Sequence, residues 1–128
     1  MVFTNQPILT TSDKDGLWYL VNDLTYQTKS GEIITVPGGF DTDLASIPQI
    51  FHSIIPVNGR HRSPAIIHDY LYVIQDRTRS EADNIFLEAM ESVGVRWTQR
   101  YTMYWAVRAG GWLPWNKRTE DKHANIQL

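Results

Sequence analysis

Two clusters hold the residue types that could do chemistry. The stretch FDTDLASIP at 40–48 has two acids, a hydroxyl and a stiffening proline, and the stretch AIIHDYLY at 65–72 sets a His-Asp pair in a nearly continuous apolar run. Burying ionisable groups is costly unless they are paired, hydrogen-bonded or metal-bound. The two clusters are therefore expected to meet and form a site. A divalent ion is one reading, with His68, Asp43 and Asp69 as ligands and Asp41 and Asp83 also available. One imidazole among several carboxylates suits magnesium, manganese or calcium at least as well as zinc. The spacing alone is not diagnostic, since there is no His-Glu-x-x-His helix and no cysteine. Acyl transfer is a second reading, with Ser46 as nucleophile, His68 as base and Asp43 or Asp69 as orienter. No Gly-x-Ser-x-Gly elbow surrounds Ser46. A third reading is structural. Asp43 then caps the buried helix, Asp69 pairs with Arg60, Arg62 or Arg77, His68 donates to a buried carbonyl and Asp83 is only a cap.

The elements that must position these groups follow from periodicity. Aromatic and branched residues from Leu17 to Tyr26, a turn at Lys29-Ser30-Gly31 and a second β-prone run from Glu32 to Val36 predict a hairpin. Pro37-Gly38-Gly39 ends it. Residues 40–56 read as an irregular loop with a short helical turn through Ile50 to Ile55, and 56–63 as a basic connection. Ser63 as N-cap and Pro64 at the first helical position predict a helix to about Gln75, apolar almost all round and so buried. His68 and Tyr72 share one face of it, with Asp69 turned about 100° away. Ser80-Glu81-Ala82-Asp83 resembles a capping box opening a second helix, whose stripe Ala82, Ile85, Phe86, Ala89, Met90, Val93 stops at Gly94. A third helix is predicted from Thr98 to about Ala109, ended by Gly110-Gly111. Its face of Tyr101, Tyr104, Trp105 and Arg108 is expected to pack in the core rather than to serve as a sugar-stacking platform. Trp112 to Trp115 is expected to fold back onto the core with its tryptophans partly exposed. From Asn116 the chain is polar and is expected to form a loose tail.

With 128 residues, one domain over 1–115 is expected. A hydrophobic share of 42% and a charged share of 20% are those of an ordinary globular chain. The net charge of −2 argues against a general polyanion-binding surface, so nucleic acid is not the expected partner. The apolar runs are too short for a membrane span, and the first residues lack the pattern of a signal peptide. Arg60 and Arg62 stand where they could contact an anionic substrate group, whereas His52, His61 and His123 read as solvated.

The run VPGGFDTDLASIP at 36–48 is followed by HDYLY at 68–72, SEAD at 80–83 with Phe86 and Ala89-Met90, MYWAVR at 103–108 and a Gly-Trp end. This order resembles the signature of a bacteriophage and prophage family catalogued as domain of unknown function 1353. One departure is Gly38-Gly39 where members often have Ala-Gly, a change expected to leave the turn intact. The resemblance implies a phage gene product encoded near tail or lysis genes. It also implies a shared polar set of Thr42, Asp43, Ser46, His68, Asp69 and Asp83.

These readings together lead to an α+β expectation: an N-terminal β-hairpin or small antiparallel sheet packed on a three-helix bundle, with the 43–46 loop over the His68–Asp69 helix. The expected function is that of a small phage hydrolase of an amide or ester, dependent on zinc, magnesium or manganese. The phage context points to a cell-wall peptide as substrate. His68, Asp69, Asp43 and Ser46 are its candidate catalytic residues, and Asp83, Thr42 and Tyr72 are expected to support them. A tail-associated or assembly protein with a structural polar cluster is the alternative, and an inhibitor of a host enzyme or defence system is a third possibility. Virion or tail proteins, or the bacterial cell wall, are the expected partners. The expected location is the host cytoplasm, with virion association as a variant.

Overall fold

The fold is α+β, and the computed structural model describes residues 2–5, 8–11, 18–42 and 62–126. Among the described residues, six short strands precede four helices: β1 (Val2–Phe3), β2 (Leu9–Thr11), β3 (Trp18–Leu20), β4 (Leu24–Gln27), β5 (Ile33–Val36), β6 (Asp41–Thr42), α1 (Ser63–Ile74), α2 (Arg79–Ser92), α3 (Trp97–Gly110) and α4 (Trp112–Ile126). The strands form two antiparallel sheets of three, ordered β1-β4-β5 and β2-β3-β6.

The expected hairpin is present as β4 and β5, paired Leu24 to Val36 and Tyr26 to Ile34. Those four side chains are buried and their neighbours Gln27, Ile33 and Thr35 are exposed. This is the period-two pattern of a sheet with one face on a core. The run expected as one strand from Leu17 to Tyr26 is instead cut into β3 and β4, in different sheets. The cut falls where polar side chains take over backbone bonding. Asn22 Oδ1 accepts from Ile8 N–H at 2.9 Å, and Asp23 Oδ1 accepts from Gly38 N–H at 2.7 Å. Gly39 then turns the chain back to the second sheet with φ +96°, while Gly38 does not adopt a positive φ. Only the second glycine of that pair is required by its φ.

Helix α1 is the centre of the molecule and touches α2, α4, β5 and β6. Ile66, Ile67, Leu71 and Tyr72 on α1 join Leu20, Leu24, Tyr26, Ile34 and Val36 from the sheets, with Ala82 and Ala89 of α2, in one core. Full burial of a side chain such as Leu71 contributes roughly 1.5–3 kcal/mol. A second cluster of Phe86, Met90, Val95 and Met103 lies between α2 and α3. Glu88 of α2 reaches back to the hairpin, where its Oε1 accepts from Tyr26 O–H at 2.6 Å and Lys29 N–H at 2.8 Å.

Several boundaries differ from the sequence expectation. The cap of α1 is Arg62, so Ser63 is the first helical residue rather than the cap. The capping box of α2 is formed by Thr78 and Glu81, two residues before the one expected at Ser80 and Asp83. Thr78 Oγ1 accepts from Glu81 N–H at 3.1 Å, and Glu81 accepts from Thr78 N–H at 3.3 Å. Asp83 is thereby freed from capping and faces the interior.

The expected loose tail after Asn116 is helical to Ile126 as part of α4. Its anchors are polar: Arg118 bonds Asp69, and Thr119 Oγ1 donates to Gln75 Oε1 at 2.8 Å. Among the described residues the bundle accordingly has four helices rather than three. On α3 the expected core face is also wrong. Tyr101 and Trp105 are exposed, and the buried position is Met103, with Ala106 and Val107 beside it. The apolar phase of α3 is set by those smaller residues, which turns the aromatic stripe outward.

Candidate functional site

Two polar groups flank α1, and they turn to different neighbours. The larger is centred on Asp83, which is fully buried. Its Oδ1 accepts from Tyr72 O–H at 2.6 Å and from His68 Nε2 at 2.7 Å. Its Oδ2 accepts from Arg108 Nη1 at 2.9 Å and has Arg79 Nη1 at 3.7 Å. One helical turn separates His68 from Tyr72 on α1 and Arg79 from Asp83 on α2, so each helix delivers two of these groups to one place. Arg108 arrives from the last turn of α3. Arg79 also donates to the carbonyls of Val107 and Arg108, closing that end of α3. Three hydrogen-bond donors and a nearby guanidinium on one carboxylate supply what a buried charge needs.

The electrostatics follow from this geometry. Burial works against the Asp83 charge, but the bonds from His68, Tyr72 and Arg108 outweigh it and hold the carboxyl below its ordinary value. Burial first, and then the bond to Asp83, push the Tyr72 phenol well above its usual range. An ionised Asp83 can only accept, so His68 donates to it from Nε2. The His68 ring lies between Tyr72 and Phe86, with centroids at 4.3 and 4.4 Å. Trp115 meets the Tyr72 ring edge-on at 5.0 Å. Among the described residues, Nδ1 of His68 has no hydrogen-bond partner, and its side chain is 14% exposed.

The second group contains Asp69. Its Oδ2 accepts from buried Thr42 Oγ1 at 2.9 Å, and its Oδ1 accepts from Arg118 Nη2 at 2.6 Å. Asp69 therefore ties β6 and α4 to α1, in the direction that its offset from His68 along the helix predicted. Arg77 is engaged by Glu32 and Asp76.

Of the residues nominated from sequence, the structure brings His68, Tyr72 and Asp83 together, and Asp69 and Thr42 together. Asp43, Ser46 and Arg60 lie outside the described residues, as do His52, His61 and the loop expected over α1. Arg62 is described at the cap of α1. Asp83 proves to be the hub rather than a cap. Arg79 and Arg108 were missed as site residues. Two signals could have found them: the four-residue spacing of Arg79 and Asp83 on one helix, and an arginine at the end of the MYWAVR run beside Met103 and Val107.

As for an ion, the described residues include no group of three or more His, Cys, Asp or Glu placed to hold one. Both oxygens of Asp83 and both of Asp69 already accept from protein donors. His68 Nδ1 is the ligand position these groups leave open among the described residues, and Asp43, the carboxylate nominated from sequence to join it, lies outside them. A ligating imidazole that donates its other N–H to a carboxylate is the usual support for a metal-bound histidine. The same arrangement suits a histidine general base.

An α+β domain with helices against two small antiparallel sheets and a buried Asp-His-Tyr-Arg cluster is the class defined by this geometry. The model of the family described as "Protein of unknown function (DUF1353)" matches residues 18–107, and the chain belongs to that family. The chain is also 35% identical over 102 residues to "Uncharacterized protein y4jT" of Sinorhizobium fredii (strain NBRC 101917 / NGR234), a match covering 78% of this chain and 30% of that protein. The chain thus spans about a third of that relative's length. No solved structure matches. No helix among the described residues is long and apolar enough to cross a membrane.

Proposed function

We propose that the protein is a small hydrolase of amide or ester bonds in which His68 Nδ1 is the working atom. The observation that carries this reading is the 2.7 Å contact between His68 Nε2 and a fully buried Asp83. That contact selects the tautomer and fixes the ring, while Tyr72 and Arg108 hold the aspartate that orients it. Asp83 is thus a positioning residue, and His68 either takes a proton from the attacking group or binds a divalent ion together with Asp43. Such an ion supplies Lewis acidity toward the scissile carbonyl. A cell-wall peptide is the proposed substrate, resting on the phage setting that the family resemblance implies.

The first test is elemental analysis of the wild type and His68→Ala after loading with zinc, magnesium or manganese, with melting followed in parallel and purified cell-wall peptide as substrate. Cleavage lost in a folded His68→Ala supports the reading, and near-stoichiometric metal lost with it assigns His68 as a ligand. No cleavage and no metal, with a variant that only melts earlier, overturns it.

A second reading has its own observation: Asp83 is fully satisfied by protein donors and needs no ligand. On this reading the cluster is scaffold, and the protein is a tail-associated or assembly component. Co-purification with virions, without hydrolysis, would select it.

A further inference from the structure

The outer face of α3 is unusual in both shape and charge. Trp97 and Trp105 are 67% and 65% exposed, and Tyr101 between them is exposed as well. They follow at four-residue intervals, so the rings rise along the helix in steps of about 6 Å on one side. The chain just beyond, at the start of α4, exposes Trp112 and Leu113. Tryptophan, tyrosine and arginine are the residues that dominate binding hot spots, and large exposed apolar patches mark interaction surfaces.

The charge on α3 itself is one-sided. Residues 92–119 contain Arg96, Arg100, Arg108, Lys117 and Arg118 and no Asp or Glu, in a chain whose net charge is −2. Arg108 and Arg118 are consumed by Asp83 and Asp69. Arg96 and Lys117 are exposed, and the Arg100 guanidinium lies 5.7 Å from the Tyr101 ring centroid. Aromatic anchors on a rigid helix that carries cations and no acid of its own fit an apolar groove rimmed with carboxylates. The same charges disfavour pairing of this face with its own copy, because Arg96 and Arg100 would face like charges. They are also too few to track a long phosphate backbone on a net-negative chain.

We infer that the Trp97–Tyr101–Trp105 face of α3 is a docking surface for an acidic protein partner, one that presents an apolar groove or helix bordered by Asp and Glu. This surface is separate from the His68 site and does not depend on hydrolysis.

The test uses the whole chain and a displayed library of random peptides, selected on the wild type and counter-selected on Trp97→Ala/Trp105→Ala. The exposed positions predict that the double variant keeps the wild-type circular dichroism and melting temperature. The expected result is enrichment of peptides combining acidic and apolar residues. Their affinity should fall at least about tenfold on the double variant and on Arg96→Glu/Arg100→Glu, and should weaken with salt. No enrichment, or enrichment without acidic residues, overturns the inference, as does binding insensitive to these substitutions. Tighter binding of an oligo-dT strand through the same residues would assign the face to nucleic acid instead. Self-association in sedimentation, abolished by the double variant, would assign it to a second copy.

Discussion

Arg118 donates to Asp69 at 2.6 Å and thereby joins the last helix to the central one across 49 residues of chain. Both side chains are mostly buried, so the pair is less screened than a surface bridge. Arg118→Ala is predicted to destabilise the fold by about 1–3 kcal/mol, the range for losing a hydrogen bond to a charged group. Urea unfolding checks this, and an unchanged midpoint would show that α4 is held by its apolar contacts alone.

Substitutions around Asp83 should rank in a defined order. Asp83→Asn places an amide N–H₂ against arginine donors and removes the charge that balances them. The expected loss is about 3–5 kcal/mol, as for breaking a buried ion pair. Tyr72→Phe removes one of several donors to the same carboxylate, and its expected cost is lower, about 1–3 kcal/mol. Equilibrium denaturation of the two variants measures the difference. The reverse order would mean that the phenol, not the ion pairing, secures the aspartate.

Gly111, between α3 and α4, has no room for a side chain. A Cβ there would collide with Val107 O and the Tyr72 hydroxyl and would press on Arg79. The φ of −69° at Gly111 is ordinary, so the requirement is space and not conformation. Gly111→Ala should cost about 1–3 kcal/mol, as overpacking does. It should also disturb Tyr72, visible in near-ultraviolet circular dichroism.

Stability is predicted to fall at both ends of the pH scale. Tyr26 and Tyr72 have phenols raised above their ordinary value, chiefly by burial. A raised folded-state value gives stability that is complete below the unfolded value, about 10, and that is lost as pH climbs above it. Asp83 is shifted the other way. Its contribution is present above the unfolded value, about 4, and disappears as pH falls through the lower folded value. Melting temperature against pH checks both limbs, and Tyr72→Phe should flatten the alkaline one.

What could be read from the sequence was whatever depended on local periodicity. The β4–β5 hairpin alternates strictly, the first three helices begin and end close to their punctuating residues, and His68 and Tyr72 fall on one face because they are four apart. The split of β3 from β4 was not legible, because it depends on Asn22 and Asp23 reaching Ile8 and Gly38, and a propensity reading cannot see such long-range bonds. Asp83 reads from sequence as a capping acid because it stands three residues after Ser80, whereas it is the fifth residue of α2 and faces inward. Arg79 stands one turn before it on the same helix, a legible spacing, whereas Arg108 comes from a different helix and only folding brings it in. The outward aromatics of α3 reversed the usual rule that large apolar residues define the buried face.

The Glu88 carboxylate, shared by Tyr26 and Lys29, also bears on how the chain reaches this state. The two bonds span 62 and 59 residues, so the hairpin and α2 can form early by local contacts but can be locked together only late. Such sequence-distant closures slow folding. The Lys29 amide, which points to that carboxylate, therefore becomes a site-specific clock. Its protection from solvent exchange would mark the moment at which the sheet and the helices become one cooperative unit.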